Sequence, residues 1–187
     1  MRLKILQEAG HDEALRGMAY SYKDRALDVD EWWEQQAGKA ARRAPLLAVK
    51  DGGHNKFLES MVLWIDIEAP RSFWQEFDTY RVGTTKQSES TMHTLSKRRP
   101  TSEDFEVDTP RRMIEAFQLE WDDYQTHKNL AALKEGLPEG FLQRRVVCTN
   151  YKVLRNILWQ RGGHRYKRWG EFTEQLLVQL AHPQYLN

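Results

Sequence analysis

Residues 57–70 read "FLESMVLWIDIEAP", and the periodicity of this stretch decides the fold. Met61, Leu63, Ile65 and Ile67 alternate with Val62, Trp64, Asp66 and Glu68, which is the period of a β-strand. Both phases are partly apolar, so the strand is predicted to be central in its sheet. Pro70 then opens a short helix, "PRSFWQEFDTY", with proline in its first turn. Towards the N-terminus, "MRLKILQ" sets Leu3 and Ile5 against Arg2 and Lys4, a second strand pattern. Between the two, Leu15, Met18, Ala19 and Tyr22 fall at helical spacing in "HDEALRGMAYSYKD". Residues 29–49 open with acids and predict a further helix that Gly38 and Pro45 weaken or break, and "DGGH" ends it.

Towards the C-terminus the chain turns polar at once. "YRVGTTKQSESTMH", residues 80–93, holds an arginine, a lysine, a histidine, a carboxylate and five Ser or Thr hydroxyls. A solvated loop is the ordinary reading of such a run, but this one leaves a strongly apolar element directly, as a binding site would. "SKRRPTSEDFEVDTP" follows, polar and bounded by prolines, and residues 94–110 are expected to form a mobile loop. From Pro110, Met113, Ile114, Phe117, Trp121 and Tyr124 share one face of a long helix that ends near "KEGLPEG". "PEGFLQRRVV" is expected as a short helix leading to "CTNYKVLRNILWQRGG", where Val153, Leu154, Ile157 and Leu158 form an apolar stripe ended by Gly162 and Gly163. A last helix runs from about His164, with Trp169, Phe172, Leu176 and Leu177 inward. The balance is α+β with helix dominant, and 1–187 is expected to be a single domain.

Charge and composition narrow the function classes. Lys and Arg number 28 against 27 Asp and Glu, so no global field recruits nucleic acid or an anionic membrane, and an anionic ligand must be held by local cations. The one cysteine, Cys148, excludes an intramolecular disulfide framework and fits a reducing compartment as a small buried thiol. No apolar run approaches the roughly 20 residues of a membrane span, and a cytoplasmic location is expected. The six histidines are scattered without ligand spacing, so no metal site is expected. P-loop and dinucleotide glycine fingerprints are also absent. Trp64, Trp74 and several apolar helix faces exceed the needs of one small core, which predicts a homo-oligomer.

Three polar clusters remain. "GGHNKF" pairs glycines with His54 and Lys56; the 80–93 stretch follows Gln75; "RRVVCTNYKVLRNILWQRGGHR" sets Arg144, Arg145, Lys152, Arg155, Arg161 and Arg165 among apolar residues. Lys152 and Asn156, four apart, share a helix face. Arginine forks match phosphate oxygens, so a phosphorylated small molecule is one reading and surface ion pairing is the other.

In their order and spacing these clusters resemble the flavin-dependent thymidylate synthases. That family places a Gly-His element before a central strand ending in Ala-Pro, then Gln-x-Phe, then Arg-His-Arg-x-x-Ser-x-Asn-x-x-Ser-x-Arg; here stand "GGHNKFLESMVLWIDIEAP", "QEF" and "TYRVGTTKQSEST". Arg145 before "VV", "NYK" at 150–152, Asn156, Arg161 and "WGE" at 169–171 match its C-terminal part. In the signature only the third basic residue is present, as Arg81, with Thr79 and Tyr80 before it; Lys86 stands for asparagine, Glu89 for serine and Thr91 for the last arginine.

The resemblance implies a helix-rich α+β domain with a central antiparallel sheet, and FAD as cofactor. It implies His54, Lys56, Tyr80, Arg81, Val82, Asn150, Lys152 and Asn156 at the flavin. It implies Gln75, Gln87, Ser88, Glu89, Ser90, Arg145 and Arg161 at a pyrimidine deoxynucleotide monophosphate, with Arg81, Gln87, Ser88, Ser90 and Arg161 nearest the chemistry. The implied reaction moves a one-carbon unit from methylenetetrahydrofolate to C5 of dUMP, with NADPH as reductant, in a homotetramer with shared active sites. Neither membrane nor nucleic acid is an expected partner. The altered signature leaves two alternatives: a pyrimidine deoxynucleotide hydroxymethylase on the same scaffold, and a nucleotide-binding protein without turnover.

Overall fold

The computed structural model describes residues 1–186. It is α+β: strands β1 (Arg2–Ala9), β2 (Val62–Pro70), β3 (Thr85–Ser88) and β4 (Leu142–Asn150) form one antiparallel sheet in the order β1-β2-β4-β3. The chain divides into two compact units, one of Met1–Leu3, Asp66–Thr79 and Lys86–Val146, the other of Lys4–Ile65, Tyr80–Thr85 and Val147–Asn187.

Strand β2 is central, and its alternation is the one the sequence predicts. Leu63, Ile65, Ile67 and Ala69 are fully buried, while Val62, Trp64, Asp66 and Glu68 on the other face are partly exposed. Strand β4 corrects an expectation, because the short helix expected over "PEGFLQRRVV" is extended from Leu142 onward. Gln143, Arg144 and Arg145 are good helix formers, but Val146 and Val147 favour extended backbone, and hydrogen bonding decides. The amide of Arg71 donates to Phe141 O and that of Glu89 to Arg144 O, fixing β4 between its two neighbours. Part of the polar 80–93 run is likewise recruited as the edge strand β3, and is not wholly a turn.

In the second unit, helix α1 (His11–Ala19) packs on helix α2 (Val29–Ala48), and α7 (Tyr151–Arg161) packs on α8 (Arg168–Leu177). Asp28 caps α2 by accepting from the amides of Asp30 and Glu31 at 2.9 and 3.2 Å. The helix runs through Gly38 and Pro45 without a break, contrary to expectation. Ala40, Ala44 and Ala48 form a fully buried stripe of small residues, and Pro45 costs the ladder one bond, the one its missing N–H would donate to Ala41 O. Asn150 ends β4 and caps α7, its Oδ1 accepting from Val153 N at 3.0 Å. The final helix starts at Arg168, later than expected, after a turn in which His164 Nδ1 accepts from Tyr166 N. Near the C-terminus, His182 stacks on His11 with ring centres 3.7 Å apart, and His11 Nε2 hydrogen-bonds the Tyr185 hydroxyl.

In the first unit, helix α3 (Arg71–Phe77) buries Phe73, Trp74 and Phe77. A short helix α4 (Thr91–Thr94) follows, and the long helix expected after Pro110 is two: α5 (Arg111–His127) and α6 (Leu130–Glu135). They part at Lys128, whose φ of 54° is left-handed, and Asn129 caps α6 through Ala132 N. Leu95, Phe105, Phe117, Leu133, Leu137 and Phe141 form one buried cluster. Leu95 and Phe105 of this cluster lie within residues 94–110, and Arg99 pairs with Asp122 at 2.8 Å. Trp74 is consumed in this unit and is no surface residue, whereas Trp159 on α7 is 81% exposed. Among the described residues no helix is long and apolar enough to cross a membrane. Nor do any three or more His, Cys, Asp or Glu side chains form a group that could hold a metal ion.

Candidate functional site

The second unit builds a polar turn against the N-terminus of α7. Gly83 makes this possible: its φ is +68°, and a Cβ there would lie 2.9 Å from Val153 Cγ2 and 3.1 Å from Asn150 Nδ2. Thr149 Oγ1 donates to Gly83 O at 3.1 Å and meets Thr84 Oγ1 at 3.2 Å, tying the turn to β4. Held this way, Arg81 and Val82 stand at the tip in solvent, Val82 89% exposed. Tyr80 is buried behind them. Its hydroxyl donates to Gln160 Oε1 at 3.0 Å and accepts from Arg161 Nε at 2.9 Å. The Arg161 guanidinium lies over the Trp169 ring at 4.5 Å, and its Nη1 is 3.2 Å from His164 Nε2.

Of the residues assigned to a flavin, the structure therefore brings together Tyr80, Arg81, Val82 and Asn150. Asn156 joins through Gln160, whose amide donates to its Oδ1. Lys152 Nζ donates to Glu59 Oε1, 2.5 Å away. His54 and Lys56 are exposed on a separate turn, anchored by buried Asn55 through Ala48 O. Gln160 is a residue that the sequence does not single out, and Trp169, expected as an inward residue of the last helix and part of the "WGE" match, is the ring beneath Arg161. Cys148 is partly exposed.

In the first unit a recess of about 500 Å³ is lined by Arg71, Trp74, Gln75, Asp78, Thr91, Lys134, Glu135, Gln143 and Arg145. Trp74 forms its floor, with Nε1 donating to Gln143 O at 3.0 Å. The Arg145 guanidinium lies over that ring at 4.4 Å and donates through Nη1 to both Asp78 oxygens at 3.0 and 3.1 Å. Lys86 reaches the same carboxylate, its Nζ 3.0 Å from Oδ1. Burial raises the Asp78 carboxyl, but hydrogen bonds from Lys86 and Arg145 outweigh it and hold the group below the usual carboxylate range. Gln75 donates to Glu139 at 3.0 Å.

Gln75 and Arg145, both assigned to a nucleotide, thus share one recess. Gln87 and Ser88 lie on exposed β3, and Ser90 precedes α4, its carbonyl accepting from the amides of His93 and Thr94. Glu89 lines a second recess with Glu68, Thr94, Arg98 and Asp104. Arg161 belongs to the other unit. Sequence reasoning missed Asp78, whose only local signal was its place at the end of α3, four residues after Trp74.

No family model and no curated protein matches this sequence. Among solved structures the chain is similar to the flavin-dependent thymidylate synthase ThyX from Helicobacter pylori, crystallised with FAD and dUMP. The TM-score is 0.76 at 15% identity, covering all of this chain and 98% of that one. A second Helicobacter pylori ThyX structure with FAD and dUMP gives 0.73 at 18% identity, covering all of this chain and 97% of the other. At these identities the likeness establishes the fold.

Proposed function

We propose that this chain is a flavin-dependent enzyme that transfers a one-carbon unit to C5 of a pyrimidine deoxynucleotide. In its simplest form it converts dUMP to dTMP with methylenetetrahydrofolate as donor and NADPH as reductant. The observation that carries the reading is the fold likeness, complete over both chains, to an enzyme crystallised with FAD and dUMP. The residues present fit the groups this implies. At the Gly83 turn a cation, an apolar side chain and the Asn150 amide emerge side by side where a Cβ would not fit, which suits the phosphates and ring of FAD. The recess of the first unit offers a guanidinium stacked on an indole beside a primary amide, which suits a phosphate monoester and a pyrimidine edge.

When bound, reduced flavin supplies the hydride and relays the one-carbon unit. The chain's own residues bind and orient. Arg145 is fixed on Trp74, so little side-chain entropy is lost when it meets phosphate. Gln75 has an amide to present to the base, and the hydroxyls of Ser88 and Ser90 adapt around it. No cysteine nucleophile is required. We infer a homotetramer in which copies complete one another's sites, supported by the exposure of Trp159 and Val82.

The test is direct. The purified protein is expected to carry or take up FAD at micromolar concentration. With dUMP, methylenetetrahydrofolate and NADPH it is expected to yield a methylated nucleotide by mass spectrometry. A hydroxymethylated product would move the assignment to the hydroxymethylase alternative, and a colourless protein that leaves dUMP unchanged would sink the enzyme reading.

A further inference from the structure

Asp78 holds two cations, and one of them has no counterpart in the family signature. Lys86 and Arg145 each lie 3.0 Å from Asp78 Oδ1, and each side chain is 15% exposed while the carboxylate is 45% exposed. Arg145 and Asp78 line the recess; Lys86 does not, and meets it at Asp78. Lys86 is further placed by the Phe77 ring, 5.5 Å from its ammonium. Alone with Asp78, Arg145 would form a closed pair in which Nη1 spans both carboxylate oxygens, neutral overall and a poor partner for another anion. With Lys86 drawing on the same oxygen the group carries a net positive charge, so Arg145 can share itself with a second anion. Arg145 stays fixed over Trp74 as it does so.

We infer that Lys86 is a positioning residue for phosphate: by sharing Asp78 it leaves Arg145 available to the phosphate of a nucleoside monophosphate in this recess. The inference rests on the nucleotide reading given above and adds a residue to it. It also gives the lysine that replaces the signature asparagine a definite task.

The experiment is a calorimetric titration of the full-length protein with dUMP, deoxyuridine, FAD and inorganic phosphate. Lys86→Met is expected to weaken dUMP at least tenfold while leaving deoxyuridine and FAD within a factor of two. Lys86→Arg keeps the charge and is expected to keep the affinity. The decisive variant is Lys86→Met combined with Asp78→Asn. With the carboxylate gone Arg145 no longer needs a second cation, so dUMP affinity is expected to return, which a merely structural lysine would not allow. Unchanged dUMP binding in Lys86→Met, failure of the double variant to recover, or a loss of FAD affinity instead would each overturn the inference while leaving the proposed activity standing. If the parent protein binds no dUMP, the nucleotide reading fails by itself. The inference then stands only if inorganic phosphate binds with the same dependence on Lys86 and Asp78, and falls if it does not.

Discussion

Gly83→Ala isolates the contact on which the polar turn depends. A left-handed conformation costs an L-residue about 1–2 kcal/mol, and Gly83 has φ +68°. The added Cβ would also stand 2.9 Å from Val153 Cγ2 and 3.1 Å from Asn150 Nδ2, nearer than ordinary contact. Val153 must leave its rotamer, at about 0.5–1.5 kcal/mol, or Asn150 must move. The second route endangers the cap on α7, whose loss costs about 1 kcal/mol. The expected total is about 1.5–3.5 kcal/mol. Gly52→Ala is the internal control, because its φ is +73° but nothing lies within 4 Å of the new Cβ, so only the backbone cost remains. Urea unfolding of both variants should show equal slopes and a larger fall in midpoint for Gly83→Ala, by about 0.5–1.5 kcal/mol after conversion. Equal losses would refute the steric argument, since both glycines belong to the same compact unit and differ only in what surrounds the Cβ.

Other outcomes follow from the same contacts. Phe117 is 1% exposed and meets Phe105 and Phe141 edge-on, so Phe117→Ala is expected to cost about 3–5 kcal/mol; a loss under 1 kcal/mol in urea would mean the cluster is not a core. Burial, with the adjacent His11, holds His182 below its ordinary 6.5, so the folded state binds fewer protons than the unfolded chain just below that pH. Stability is therefore expected to be level above about pH 6.5 and to fall as the pH drops, with His182→Gln flattening the profile; midpoints that match at pH 7.5 and 5.5 would exclude it. Asn156→Leu is expected to weaken FAD by about 1–3 kcal/mol in a fluorescence titration, and unchanged affinity removes Asn156 from the site.

How far the sequence carries is set by whether the deciding contact is local. Strand β2 was legible because its alternation and its apolar content both lie within nine residues. The helix stripes of α5 and α7 and the Gly162–Gly163 stop were legible for the same reason. Strand β4 was not, because residues 142–145 carry no strand preference of their own, and their conformation is imposed by amides of Arg71 and Glu89, distant in sequence. The unbroken α2 was hidden likewise: buried Ala40, Ala44 and Ala48 override Gly38 and Pro45, and that burial is tertiary. In the site, the order of the clusters pointed to Gln75 and Arg145, which one recess unites. It could not show that Lys152 meets Glu59 or that Lys86 meets Asp78, because an ion pair chooses its partner by distance in space.

Two arginines assigned from sequence to one phosphate turn out to be mounted alike, one in each unit. Arg145 lies over Trp74 at 4.4 Å and is steered by Asp78, and Arg161 lies over Trp169 at 4.5 Å and is steered by the Tyr80 hydroxyl. An indole face removes most of an arginine's rotamer freedom, which would otherwise cost up to about 2 kcal/mol on binding an anion. The indoles are themselves fully buried, so the platforms are rigid. The exposed side chains of 87–90 have no such mounting, and each must be ordered by whatever it binds. Each pre-set guanidinium would therefore lose less entropy on meeting an anion than a solvated cation does, and its indole support lies outside the signature that a sequence motif records.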